Sequence, residues 1–269
     1  MSKSAKKSQA LKPNEVDLTK LTFSDVRSLP SGAKLVFVNI NENSLYVQTP
    51  ELETPFDCNF FPDGSDDTGK ITVNVSLKGM EDDKKIGDFH NLMEKFDTLV
   101  KDKCIENSVL WHKKPKMSME TVESLYTNMI KVSTDSETGE PNGKYPPQFR
   151  YKINKKNKKW ECRFYNELRE PIEDPQAEEL LKKGAKTKAL LKCTGVWIAA
   201  GKFGCSWRAE QIIINTPKTL DDYAFRSDDE DEDEEEDGGS GQVEFVNDSS
   251  DEEEEEVVVK SKSKKSSKK

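Results

Sequence analysis

The sequence predicts a mainly β fold with a helical insertion, and three observations predict it. Residues 190–200 and 205–214 are rich in β-branched and aromatic side chains, and they flank Gly201-Lys202-Phe203-Gly204, a loop with glycine where positive φ is needed. Two more hairpins read the same way, 34–40 with 45–48 and 149–153 with 160–165, each around a polar turn. Helical spacing occurs between them, in Phe89, Leu92, Met93, Phe96, Leu99 and Val100, then in Val122, Leu125, Tyr126, Met129 and Ile130. Short strands in hairpins with a helical interruption suit a small Greek-key barrel, and a β-sandwich stays open.

In chain order, residues 1–17 begin with the basic, polar MSKSAKKSQALK and are expected to be disordered. Residues 18–29 are weakly helical and end at Pro30-Ser31-Gly32. The first hairpin turns at Asn41-Glu42-Asn43-Ser44; after it, Pro50 and Pro55 keep their segment extended and off a central strand. An acidic loop starting at Asp63-Gly64 precedes a third strand over 70–77. The helical insertion covers about 86–131, with Ser118 as an N-cap and Trp111 read as a buried anchor beside a solvated lysine run. A Gly/Pro/Ser/Glu-rich loop over 135–145 follows, and a charged linker with a short helix over 167–183. The globular body is thus 18–226, and 227–269 is a disordered acidic tail ending in a polybasic segment.

The charge is divided along the chain. From Asp228 onward there are 18 acidic and 6 basic residues, a net of −12, so the overall −9 conceals a body of +3. Such asymmetry points to a polyanion ligand or a basic partner. Five cysteines without a CxxC pair and two histidines without metal-ligand spacing argue against zinc and for a reducing compartment. No apolar run approaches the length of a membrane helix. Phosphate-loop, HExxH and GxSxG motifs are missing, so neither an enzyme nor a cofactor is expected.

Strict alternation puts Cys193, Gly195, Trp197 and Ala199 on one face, and Lys192, Thr194, Val196 and Ile198 on the other. Trp197, Phe203 and Trp207 then gather near one turn, with Lys192, Lys202 and Arg208 beside them. A second candidate set is Arg150, Tyr151 and Lys152, leading to the tip lysines Lys155, Lys156, Lys158 and Lys159 and closed by Trp160. Aromatics interleaved with cations offer π-faces to bases and charge to phosphates, as a single strand of nucleic acid requires. The same residues also read as core tryptophans and a solvated lysine turn, and both readings stay open.

The order of LYVQTPELETPF at 45–56, a helical insertion, the hairpin with GVWIAAGKFGCSWRAEQIII and an acidic tail resembles the phage-type single-stranded DNA-binding proteins, most closely the version in nucleocytoplasmic giant DNA viruses. The resemblance covers roughly residues 34–237. It implies an OB-fold, a Greek-key five-stranded barrel, that coats single-stranded DNA without sequence preference in viral DNA replication, recombination or repair. It also implies that Asp228, Asp229, Glu230, Asp231, Glu232, Asp233, Glu234, Glu235, Glu236 and Asp237 compete with DNA and recruit a replicative polymerase or helicase. A homodimer is compatible with it, as is a place at the host's cytoplasmic replication site, in the nucleus or in the virion. The family's tail ends in an aromatic residue, whereas this chain continues into KSKSKKSSKK and leaves Phe245 as the nearby aromatic. The rival readings are a histone-chaperone-like protein whose acidic runs bind basic partners, and an accessory factor without DNA affinity.

Overall fold

The computed structural model describes residues 10–65 and 67–215, all within the first of the two units into which the chain divides, Met1–Thr219 and Leu220–Lys269. The tail from Asp228, the polybasic end and Phe245 lie outside the described residues.

The first part of the sheet is one interrupted strand. Its pieces are β1 (Lys34–Val36) and then, after β2 (Val38–Ile40), which turns off into a separate three-stranded sheet, β3 (Tyr46–Gln48) and β4 (Leu52–Glu53). Asn41 and Glu42 make the turn after β2 with φ of 48° and 65°, where a short polar side chain such as Asn is tolerated best. Next come β5 (Phe60–Ser65) and β6 (Thr68–Ser76), an antiparallel pair. The insertion supplies α1 (Lys84–Glu106), α2 (Ser108–His112) and α3 (Met119–Leu125). The chain returns through β7 (Gln148–Lys156), β8 (Lys159–Trp160), β9 (Arg163–Tyr165) and α4 (Asp174–Leu180). It finishes in the long hairpin β10 (Lys186–Ala199) and β11 (Lys202–Asn215).

That hairpin organises the sheet. One edge of β10 takes β1, β3 and β4 in succession, with Val196 opposite Val36, Lys192 opposite Tyr46 and Thr187 opposite Leu52. Beyond β11 lies β7, parallel at Lys152 and Arg208, then β6 antiparallel to β7, then β5. The turn is tighter than the sequence reading. Ala200 and Gly201 alone make it, with φ of 50° and 79°, while Phe203 and Gly204 already pair with Ile198 and Trp197. Two central residues at positive φ match the twist of the strands they join.

The inner face of the sheet is apolar. Val36, Val47, Val73, Val75, Phe149, Ile153, Leu191, Phe203 and Ala209 are fully enclosed, and α1 lies against this face. Phe89 meets Phe149 edge-on at 5.1 Å and Phe96 meets Trp207 at 5.7 Å. Asp83 caps the helix through the N–H groups of Lys85 and Ile86, and Asn107 ends it. Burying each such side chain is worth about 1.5–3 kcal/mol, so the insertion is part of the core.

Three expectations are corrected. Residues 10–17 are ordered, because Leu11 bridges Val47, its N–H donates to the Tyr46 carbonyl at 3.0 Å, and Leu11 and Val16 pack on the core. Residues 18–29 hold a 3-10 turn (Leu18–Lys20) and a strand (Leu21–Phe23) paired to β2; Leu21 and Phe23 meet the core at period two. The second helix stops at Leu125, because Tyr126 and Ile130 are taken by strand edges, Tyr126 opposite Phe203 and Ile130 opposite Phe149. Asp97 of α1 holds this stretch. The Tyr126 hydroxyl donates to its carboxylate, and the Met129 N–H donates to Oδ2 at 3.0 Å.

Candidate nucleic-acid interface

Alternation along β7 divides its residues cleanly. Phe149, Tyr151 and Ile153 point into the core, while Arg150, Lys152 and Asn154 face outward. Register carries the outward set across the sheet. Lys152 is opposite Arg208 on β11, Arg208 opposite Lys192 on β10, and Lys192 opposite Tyr46 on β3. On the other side Lys152 faces Thr72 of β6, flanked by the pairs Arg150 with Asn74 and Asn154 with Lys70. Cations therefore lie side by side on three neighbouring strands, with Tyr46 on a fourth.

The electrostatics of this row suit an anion. Burial, then the charges of Lys70 and Arg150, push Lys152 below the ordinary lysine value. Burial and Arg150 do the same to Lys131. Like charges held this close disfavour one another, and a phosphate among them removes the penalty. Lys192 lies 5.6 Å from the ring centre of Tyr46, a half-buried aromatic on the outer face. Arg208 is already engaged, by Glu161 at 3.0 Å and Glu210 at 2.7 Å.

At one end of the row is an open cleft of about 620 Å³ that includes Phe61, Lys70, Asn154, Lys156 and Glu161. Phe61 is 50% exposed and Phe56, earlier in the same β4–β5 region, 54%. Gly69 lets β6 lie close against β5, since a Cβ there would come within 2.4 Å of the Phe61 carbonyl oxygen. An exposed ring beside cations is a surface on which a base can stack.

The structure thus separates two groups that the sequence merged. Tyr151, Trp160, Phe203 and Trp207 are buried and present no face to a ligand. Trp207 donates its Nε1–H to the Met129 sulfur at 2.9 Å, and Trp160 donates its own to Glu178 at 2.7 Å. Trp207 lies against Phe96 of α1, Phe203 against Trp111 of α2 and Tyr126, and Trp160 against Glu178 of α4. Lys155 is also structural, paired with Glu178 at 3.3 Å and lying 5.0 Å and 4.9 Å from the rings of Phe60 and Trp160. Lys158 reaches Asp67 at 3.8 Å on the surface. Lys156, Lys159 and Lys202 are exposed, and Arg150, Lys152, Lys192 and Arg208 are outward.

Trp197 faces out, half-buried over Gly204, and a bulge explains why. The pairing of β10 shifts between Cys193 and Gly195, so Cys193 and Val196 both point inward and alternation breaks. Gly195 adopts φ of 108°, and a Cβ there would sit 2.4 Å from the Val36 carbonyl oxygen. Tyr46, Phe61, Lys70 and Thr72 were not singled out by sequence reasoning. The alternation of buried Leu45 and Val47 with Tyr46 was the available signal for the first.

No family model matches the chain, and no curated protein matches it. Among solved structures, the single-stranded DNA-binding protein from bacteriophage Enc34 in complex with single-stranded DNA aligns at 10% identity with a TM-score of 0.42, over 73% of this chain and 93% of that one. The gp2.5 single-stranded DNA-binding protein of bacteriophage T7 aligns at 12% identity with a TM-score of 0.40, over 71% and 98%. Likeness this weak assigns neither a ligand nor a site.

Proposed function

We propose that the chain binds single-stranded DNA without sequence preference, along the outer face of an OB-fold barrel. The observation that carries this reading is the in-register row of Tyr46, Lys192, Arg208 and Lys152, with Lys70 and exposed Phe61 at its end. Support for the barrel comes from the strand arrangement. The interrupted strand, β10, β11, β7 and β6 make five, α4 stands between β7 and β10, and β7 and β11 run parallel. In that fold the face of the second and third strands and the loop between the first and second take oligonucleotides; here these are β6, β7 and the β4–β5 loop. The placement with giant DNA viruses, and a role in replication, recombination or repair, rest on the sequence motifs and their order. The charge split supports an acidic tail that occupies the cationic face when DNA is absent and recruits a basic partner when displaced.

The test is fluorescence anisotropy of labelled oligo(dT) against a duplex of equal length. Single strands are expected to bind far better, with a log–log salt slope of about −0.7 per phosphate neutralised. The combined variant Lys70→Ala, Arg150→Ala, Lys152→Ala should flatten that slope by about 2 without lowering the melting temperature. Equal affinity for duplex, or an unchanged slope in this variant, overturns the reading in favour of a chaperone-like role for the acidic runs.

A further inference from the structure

We infer that the chain carries a second phosphate-binding segment, formed by Lys12, Lys84, Lys85 and Lys188, which extends the single-strand track beyond the central row. This rests on the function proposed above. The four lysines come from three separate stretches of sequence, yet they line one cleft of about 390 Å³ with Thr49 and a single acid, Asp88. None of the four has an ion pair among the described residues, whereas Arg208 in the first site is already held by Glu161 and Glu210.

Position links the two sites. Lys188 and Lys192 point outward from the same strand, four residues or roughly 13 Å apart. Between them lies half-buried Leu190, and beside that a shallow cleft shared by Lys188, Tyr165 and Arg169. A strand leaving Lys192 along β10 therefore meets apolar and aromatic surface, then the lysine cleft. Nothing acidic interrupts that path among the residues lining the two clefts until Asp88.

Fold stability gives no reason for these charges. Lys84 and Lys85 occupy the first turn of α1, which holds no acidic residue, and cations there oppose the helix dipole. The Asp83 carboxylate nearby is already committed to the N–H groups of Lys85 and Ile86. Lys12 is held in place by the hydrogen bonds of Leu11 to β3, at 3.0 Å and 2.9 Å. The segment expected to be disordered thus delivers a fixed charge to the cleft.

The experiment compares oligo(dT) of about 6 and about 16 nucleotides, the range of lengths an OB fold accommodates. The full chain carrying Lys12→Gln, Lys84→Gln, Lys85→Gln and Lys188→Gln should match the wild type on the short strand. On the long strand at low salt it should bind about tenfold more weakly, with a salt slope smaller by about 2–3. The four Lys→Arg replacements should restore the long-strand affinity, and melting temperatures should agree throughout. Equal long-strand binding by the Gln variant and the wild type overturns the second site and leaves the first intact. Equal losses on both lengths also overturn it, since the lysines then act through the fold or the central row. A wild type that binds neither length overturns the function proposed above, and this inference with it.

Discussion

The inner and outer faces of the same sheet use similar residues for opposite ends. On β7 the inward Phe149, Tyr151 and Ile153 are fully enclosed, while one residue along in each case Arg150, Lys152 and Asn154 reach the surface. On β11 the inward Trp207 packs on Phe96 and its outward neighbour Arg208 joins the cationic row. Adjacency in sequence therefore does not make these aromatics and cations one site. A pleated strand sends neighbours to opposite faces, so the ring next to a cation is the ring least able to share a ligand with it. Base stacking falls to aromatics on the outer face, Phe61 above all.

The comparison breaks most readily at Trp207. Trp207→Ala should cost about 3–5 kcal/mol of stability, because it empties the space under α1, while the folded fraction keeps its affinity for oligo(dT). Chemical denaturation and anisotropy on the same preparation decide it. A large loss of affinity with an unchanged denaturation midpoint would put Trp207 on the binding face and dissolve the distinction.

The inner face also contains a buried acid, and its titration sharpens the contrast. Burial raises the Asp97 carboxyl to about 6, with the Tyr126 and Met129 hydrogen bonds pulling the other way. A carboxyl raised on folding binds its proton more tightly in the native state, so its contribution is greatest below the unfolded value near 4. That contribution is lost as pH rises from about 4 to about 6, on the order of 2–3 kcal/mol at most. Asp97→Asn should remove this slope, seen as a melting temperature difference from wild type that changes between pH 4 and 6 and is constant above. A difference independent of pH would mean that Asp97 is ionised throughout.

On the outer face the corresponding residue is Phe61. Phe61→Ala should weaken oligo(dT) binding by about 1–3 kcal/mol, the worth of one base stacked on an aromatic ring, and leave stability nearly unchanged because the ring is half exposed. Quenching of a fluorescent base analogue placed along the strand would report the same contact. Unchanged affinity would assign the cleft beside Phe61 to phosphates alone.

Much of this arrangement is legible in the sequence. The long hairpin of β10 and β11, the long helix with its apolar stripe, the Ser118 cap, which accepts the Thr121 N–H, and the outward cations of β7 all follow from periodicity and turn chemistry. Of the other two expected hairpins only the tips pair, 39–40 with 43–44 and 155–156 with 159–160, because β10 takes β1 and β3 along its edge and β6 and β11 flank β7. What sequence periodicity misses is set by tertiary contact. Gly195 hides a bulge that reverses the faces of β10, and only the approach of Val36 shows why glycine stands there. Which face α1 covers decides whether Trp207 is core or platform, and no local pattern in β11 contains that information. Leu11 and Val16 look too sparse to order a segment until β3 offers an unpaired edge.

The smallest effect concerns the lysine tip, where the contrast between faces recurs within six residues. Lys155 is three-quarters or more covered, lies near two rings and is paired with Glu178, with its side chain 17% exposed; Lys156 and Lys159 stand opposite each other in open solvent. Lys155→Ala should therefore lower stability by about 1 kcal/mol, through the lost cation–π contacts, with the salt slope of DNA binding unchanged. Lys156→Ala with Lys159→Ala should do the reverse, leaving the melting temperature alone and reducing the slope by about 1.4, two phosphates at the single-strand value. The two losses are similar in size but appear in different measurements, one in unfolding and one in the salt dependence of binding. If Lys155→Ala lowers the salt slope as much as the double variant does, DNA binding pulls Lys155 away from Glu178, and the hairpin tip rearranges when the strand arrives.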